Sequence, residues 1–135
     1  MHTSKASSKR LIQSLNIPTP IGALEIYDET EFINTLTVLI ANNKDVNTWI
    51  LKMDDEFQGR GIAYINIDSI VPLYEVLHKS TVIDHHLILA IKNILTASLK
   101  SKLIMVMPTL YRDYKEFLMH FTRRGGILEA GIFHR

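Results

Sequence analysis

The sequence predicts an α/β (α+β) fold in which antiparallel strands are flanked by helices, in one region that spans residues 1–135. Two observations favour this fold. Several stretches place apolar residues at the spacing of a helix, and they alternate with short apolar runs that are typical of strands. Hydrophobic residues also make up 47% of the chain, which is enough for one core in a chain of 135 residues.

A strand, a tight loop and a second strand form the centre of the predicted fold. Residues 49–53 are an apolar run with one lysine, and residues 62–67 alternate between apolar and polar positions. The polar residues 54–58 between them predict the loop of a β-hairpin. Gly59 and Gly61 flank Arg60, so the backbone there can adopt a positive φ or approach a ligand closely.

The other elements follow from local patterns along the chain. The predicted helices cover residues 4–16, 28–42, 69–78, 84–100 and 112–122. Asp28 and Asp84 are the expected N-caps of two of them. Strands are predicted at residues 24–27 and 127–133, and residues 102–107 read as a short strand or an extended arm. The chain ends soon after the last strand, and we expect it to be a truncated fragment of a larger domain.

Composition and charge exclude several classes of partner. The formal net charge of +1 gives no overall field that would attract nucleic acid or an anionic membrane. No apolar run approaches the roughly 18 residues of a membrane-spanning helix. The chain has no cysteine, which excludes disulfides and thiolate metal sites. We therefore expect a cytoplasmic protein without nucleic-acid or membrane partners and without a metal site of its own.

Lys52 and Arg60 place two cations beside a glycine-bearing loop with free N–H groups. This arrangement suits a phosphate group. The same residues also fit the exposed surface of an unrelated interaction module, and the sequence has neither of the two common glycine-rich phosphate motifs. The hairpin alone leaves both interpretations open.

Three separated segments together resemble the ATP-grasp superfamily, the fold of carboxylate–amine ligases and biotin carboxylases. Residues 4–20 look like the family's lysine, helix and Ile-Pro-Thr-Pro segment. The central hairpin, with Lys52 followed by Arg60-Gly61-Ile62, is similar to the strand, glycine loop and strand of biotin carboxylase. Residues 128–132 are placed like the hinge strand. The hairpin and residues 123–130 are also similar to the IQ-motif-containing protein H family, which is linked to cilia and sperm.

The resemblance implies a site for Mg-ATP between a lid subdomain and a hinge. It divides the chain into an initial helix and proline-rich turn at residues 1–20, a lid subdomain at residues 21–126, and the start of a hinge strand at residues 127–135. In the family the lysines hold phosphate, the glycine loop closes over it, and the hinge glutamate and backbone meet adenine. The corresponding nucleotide-binding residues are Lys5, Lys52, Gly59, Arg60, Gly61, Ile62, Glu129, Ala130 and Ile132.

Two departures from the family pattern bear on activity. Asp54, Asp55 and Glu56 occupy a loop that is usually rich in glycine and serine, and carboxylates there would repel a triphosphate. The family's magnesium ligands lie beyond the hinge strand, so Mg²⁺ would be held by residues outside this chain. Catalytic residues and the acceptor substrate are left open. The alternative function is a catalytically inactive ATP-grasp-like scaffold or protein-interaction module with a ciliary role.

Overall fold

A computed structural model describes residues 21–22, 24–55 and 59–131, with the backbone alone at positions 54–55 and 59–60. The strands are β1 (Leu24–Ile26), β2 (Thr48–Asp55), β3 (Gly59–Asn66), β4 (Ile104–Met105) and β5 (Gly126–Ala130). The α-helices are α1 (Glu29–Asn42), α2 (Val71–Lys79), α3 (His85–Lys102) and α4 (Tyr114–Arg123), and a 3₁₀ turn covers Ile67–Ser69. Predictions for residues 1–20, 56–58 and 132–135 lie outside the described residues.

The five strands form one antiparallel sheet in the order β1-β5-β2-β3-β4. β2 and β3 pair as the predicted hairpin, with Lys52 opposite Ile62. β5 pairs with β1 on one side and with β2 on the other. The predicted α+β fold with antiparallel strands and flanking helices is therefore confirmed.

Aspartate caps begin three of the helices. Asp28 and Asp84 accept hydrogen bonds from the N–H groups of Thr30 and Leu87, as the sequence predicts. Asp113 caps α4 in the same way, accepting from the Glu116 N–H group. The last predicted helix was expected to start at residue 112, and this cap moves its start to Tyr114.

The helices pack on one face of the sheet and form the core with it. On that face, β2 contributes Trp49, Leu51 and Met53, all essentially inaccessible to solvent. Helix α4 adds Phe117 and Phe121, and the Phe121 ring lies edge-on to Phe32 of α1 at a centroid distance of 6.1 Å. The core therefore depends on aromatic side chains from both ends of the chain.

The central hairpin is longer than predicted and its loop is shorter. β2 continues through Asp55 and β3 begins at Gly59, because the pairing extends to the Asp55–Gly59 pair. The backbone of Gly61 has no positive φ; only Gly22 and Gly125 do among the described glycines. A Cβ at Gly61 would lie 2.7 Å from the Tyr111 hydroxyl and 2.8 Å from Met53 Cε, so close packing requires this glycine.

The segment expected to begin the hinge strand contributes β5 to the sheet. β5 lies between β1 and β2 and is buried along its whole length. The start of the predicted hinge strand and the predicted lid hairpin therefore share one sheet. Among the described residues, no helix is both long and apolar enough to cross a membrane.

Gly126 tests the packing between β5 and α4. A Cβ at this position would collide with the Phe121 ring, so Gly126→Ala should lower the free energy of unfolding by about 1–3 kcal/mol. Urea unfolding followed by the fluorescence of the single Trp49 measures this. Gly126→Ala combined with Phe121→Leu should cost less than the sum of the two single changes. If the losses in unfolding free energy of the two single variants simply add in the double variant, the predicted collision is wrong.

Tyr114 predicts a dependence of stability on alkaline pH. Burial, together with the nearby Glu29 carboxylate, raises the pKa of Tyr114 to about 12 from its usual value of 10.0. The unfolded chain loses this proton near pH 10, so the stability contributed by the neutral hydroxyl is complete below pH 10 and is lost as the pH rises to 12. Chemical unfolding between pH 9 and 12 should show a steeper decline for the wild type than for Tyr114→Phe. Parallel curves would refute the assignment.

Candidate functional site

Side chains on the sheet face opposite the helices form the candidate site, called the site face below. The pairing registers place them in two adjacent rows that cross the strands. The first row contains Glu25, Ile127, Lys52 and Ile62, and the second contains Glu129, Ile50, Tyr64 and Ile104.

Lys52 and Glu129 form an ion pair on the site face. Glu129 lies directly opposite Ile50, two residues before Lys52, so the two charged groups are diagonal neighbours across β2 and β5. The Glu129 side chain is only 6% exposed, whereas the Lys52 side chain is 38% exposed. The ammonium group therefore satisfies a buried carboxylate while part of the lysine remains accessible to a ligand.

Apolar side chains surround this pair. Ile50, Ile62 and Tyr64 are half-buried, and Ile127 is buried. None of these residues belongs to the core cluster beneath the helices, although their strands also contribute other side chains to that core. The described side chains of the site face thus offer one accessible cation and the carboxylates of Glu129 and Glu25 among apolar neighbours, which is a suitable setting for a planar ring with a charged substituent.

A pocket of about 590 Å³ adjoins the second row of the site face. Thr48, Tyr64, Asn66 and Gly131 line it together with residues 45–47. The Gly131 N–H donates to the Thr48 carbonyl at 2.8 Å, and the Thr48 hydroxyl donates to the Asn66 side-chain oxygen at 2.9 Å. These two hydrogen bonds therefore hold the wall of the pocket in place next to the C-terminal end of β5.

Glu25 lies at the β1 end of the first row. It accepts a hydrogen bond from the Tyr27 hydroxyl. This bond, with some desolvation and the negative charges of Glu25 and Glu31, raises the pKa of Tyr27 above its usual value. The carboxylate at this end of the row therefore already accepts a hydrogen bond from the residue that follows its strand.

Three of the predicted site residues meet on the site face, and others are placed differently. Lys52, Ile62 and Glu129 lie within two adjacent rows. Gly61 instead faces the core, opposite Met53. Ala130 also has its side chain on the core face, and its N–H donates to the Ile21 carbonyl at 2.8 Å, so this donor is already satisfied.

The remaining predicted site residues have no described side-chain position. Gly59 and Arg60 are described only as backbone in β3, and Lys5 and Ile132 lie outside the described residues. In the part of the chain that the structure describes, no group of three or more histidine, aspartate or glutamate side chains is arranged to hold a metal ion.

The sequence did not identify the other five residues of the site face, which are Glu25, Ile50, Tyr64, Ile104 and Ile127. Ile50 and Tyr64 stand directly opposite each other, and Ile50 also stands opposite Glu129. The alternation along each strand could have identified them, because residues two apart share a face with Lys52 or Ile62. The alternation does not indicate, however, that β5 is the strand that pairs with β2.

A family profile described as IQCH-like, ATP-grasp matches residues 1–134 of the chain. The chain belongs to the IQCH-like ATP-grasp family. This confirms the ancestry that the three segments indicated. The chain is also 26% identical over 141 residues to the IQ motif-containing protein H of Danio rerio. That match covers 96% of this chain and 13% of the relative, and no solved structure matches the chain significantly.

The Lys52–Glu129 pair makes a testable contribution to the stability of this ATP-grasp-like sheet. Lys52→Met leaves the buried Glu129 carboxylate without its cation, and we expect a loss of about 2 kcal/mol, between the values for exposed and buried pairs. Adding Glu129→Gln should recover part of that loss, because a neutral amide is less costly to bury. Urea unfolding measures both changes, with Lys92→Met on the exposed side of α3 as the control. Equal stability of Lys52→Met and the control would show that the pair contributes nothing.

Proposed function

We propose that this chain is the nucleotide-binding lid portion of an ATP-grasp protein and binds Mg-ATP on the site face. One observation carries the proposal. The fold brings Lys52 and Glu129, which are far apart in sequence, together on one apolar face. These are the two residues for which the family resemblance implies contacts with phosphate and with the adenine amino group.

The residues present fit the chemical requirements of a nucleoside triphosphate. The phosphates need a cation, and Lys52 presents a partly accessible ammonium group. The base needs apolar contact and an acceptor for its amino group, and Ile50, Ile62 and the Glu129 carboxylate provide these. The adjoining pocket of about 590 Å³ falls within the range of small-molecule sites.

The other predicted nucleotide-binding residues are not among the described side chains of the site face, and the proposal assigns further contacts to them. Lys5 and Arg60 would add positive charge, and the backbone of residues 59–61 would close over the phosphates. Ala130 and Ile132 would contact the base edge through the backbone, although the Ala130 N–H must first leave the Ile21 carbonyl. Mg²⁺ would be held by residues outside this chain. A cytoplasmic location, with association to cilia, is the expectation that accompanies this proposal.

Nucleotide binding would require Lys52 and Glu129 to separate at least in part. While they are paired, their charges cancel and offer little net attraction to a triphosphate. A bound nucleotide would replace both partners, since phosphate would take over the ammonium group and the base amino group would donate to the carboxylate. Bound ATP supplies a phosphoryl group in ATP-grasp ligases, but we assign no catalytic residue to this chain.

A non-catalytic scaffold is the competing function. The observation in its favour is the same ion pair, because Lys52 and Glu129 satisfy each other without any ligand. In a scaffold the pair would serve only to stabilise the sheet, and the site face would be covered by protein. The name of the Danio rerio relative, IQ motif-containing protein H, is compatible with such a protein partner.

Thermal unfolding with and without Mg-ATP distinguishes these functions. A ligand that binds only the native state adds about 2.7 kcal/mol at a hundredfold excess over Kd, so modest binding raises the melting temperature measurably. We expect Mg-ATP to stabilise the 135-residue chain and a longer version that includes the proposed magnesium ligands. Lys52→Met should abolish the shift, whereas Lys92→Met should retain it.

Base and phosphate contacts can be separated in the same assay. Mg-GTP carries an oxygen where adenine carries an amino group, so it should stabilise the wild type less than Mg-ATP does. Glu129→Gln should reduce this preference because a side-chain amide can pair with either base. An unchanged melting temperature with every nucleotide in both lengths of chain would support the scaffold and reject nucleotide binding.

A further inference from the structure

The outer edge of β4 combines apolar and basic residues. β4 is the last of the described strands in the sheet order, so only one of its sides pairs with a strand that the structure describes. Its register places Ile104 opposite Tyr64 and Met105 opposite Ala63. The Val106 N–H donates to the Ile62 carbonyl at 2.9 Å, so the pairing continues one residue beyond the strand.

The hydrogen-bond pattern determines which backbone groups point outward. In an antiparallel pair, hydrogen-bonded and non-hydrogen-bonded residue pairs alternate. Because Val106 bonds to Ile62, the Met105–Ala63 pair is the non-bonded one. The N–H and C=O of Met105 therefore point away from β3, towards the position that an added strand would occupy.

The apolar side chains along this edge are unusually exposed to solvent. Ile104, Val106 and Met107 are 42%, 53% and 46% exposed. Ile104 and Val106 stand opposite Tyr64 and Ile62, so they extend the site face by one strand. An extended segment laid beside β4 would find apolar neighbours on that face and backbone partners at Met105.

The segment of sequence that contains β4 carries only basic charged residues. No carboxylate occurs between Asp84 and Asp113, whereas this stretch contains Lys92, Lys100 and Lys102. Lys100 and Lys102 are exposed at the end of α3, just before β4, and neither forms an ion pair with any residue that the structure describes. Arg112 contacts Asp113 and Glu116, at 3.9 and 3.6 Å.

We propose that the β4 edge binds an extended, acidic segment of a partner protein by strand addition. Backbone bonds at Met105 would supply the pairing, Ile104 and Val106 would contact alternate apolar side chains, and Lys100 and Lys102 would attract the carboxylates. This interaction uses none of the residues assigned to nucleotide contacts, and Ile104 is the one residue that it shares with the site face as defined above.

A second copy of this chain fits the edge poorly. Two β4 edges side by side would bring the lysines of both copies together, which is unfavourable. Pairing β4 with the other free edge, β1, would join strands of two and three residues. That contact is far smaller than the roughly 800 Å² per partner that stable interfaces bury. A flexible acidic peptide needs no such area to bind transiently.

Lysines beside a short edge strand can also serve to prevent unwanted pairing. That role predicts that neither acidic nor basic extended peptides bind, so a peptide of defined charge distinguishes the two explanations. The probe is a dye-labelled peptide of alternating glutamate and valine, titrated against the 135-residue chain by fluorescence anisotropy. The matched peptides replace glutamate by lysine, or carry N-methyl groups that remove the backbone donors of alternate residues.

We expect the acidic peptide to bind, the lysine peptide not to bind, and N-methylation to weaken affinity at least about tenfold. Lys100→Glu with Lys102→Glu should weaken it by a similar factor, while Lys92→Glu should have little effect. Met105→Pro removes the outward donor and leaves the Val106 bond to β3 in place, so it should also weaken binding. Amide NMR shifts on peptide binding should concentrate at residues 103–107.

Several results would overturn the proposal. These are no binding of the acidic peptide at millimolar concentration, equal binding of the N-methylated peptide, or equal binding by the variant with both lysines reversed. Self-association of the chain that Met105→Pro abolishes, without peptide binding, would identify a second copy as the occupant and would equally reject an acidic partner.

Discussion

The pairing of β2 with β5 is the contact on which the rest of the structure depends. It joins residues 49–52 to residues 127–130, with three helices and two strands between them in sequence. Closing so long a loop costs conformational entropy, and only the contacts of the finished sheet and core compensate for it. Once β5 is in place, β1 has a strand to pair with, α4 has a surface to cover, and Glu129 has Lys52 beside it. Core and candidate site therefore form together.

Local features of the fold could be predicted from the sequence because they depend on neighbouring residues. The caps at Asp28 and Asp84, the apolar faces of the helices and the central hairpin all follow from patterns within a few residues. The order of the strands could not be predicted in this way. The placement of residues 127–130 inside the sheet depends on partners about eighty positions away, and no local signal specifies them.

The candidate site was predictable to a similar extent. The family resemblance selected Lys52, Ile62 and Glu129, and the sheet places them on one face. It also selected Gly61, where the structure shows a packing requirement imposed by Tyr111 and Met53. A glycine that must be small for the core looks the same in sequence as one that must approach a phosphate. The ion pair itself required knowledge of which strands are neighbours.

The Lys52–Glu129 pair links the stability of the sheet to any ligand of the site face. A buried carboxylate needs a donor at all times, so a ligand that draws Lys52 away must provide a replacement for Glu129. A phosphate group alone cannot do this, because it offers the carboxylate only further negative charge. A molecule with phosphates at one end and an amino-bearing ring at the other satisfies both partners at once. If the site face binds the proposed adenine nucleotide, the pair would therefore select against simple anions, and it would stay closed when the nucleotide is absent.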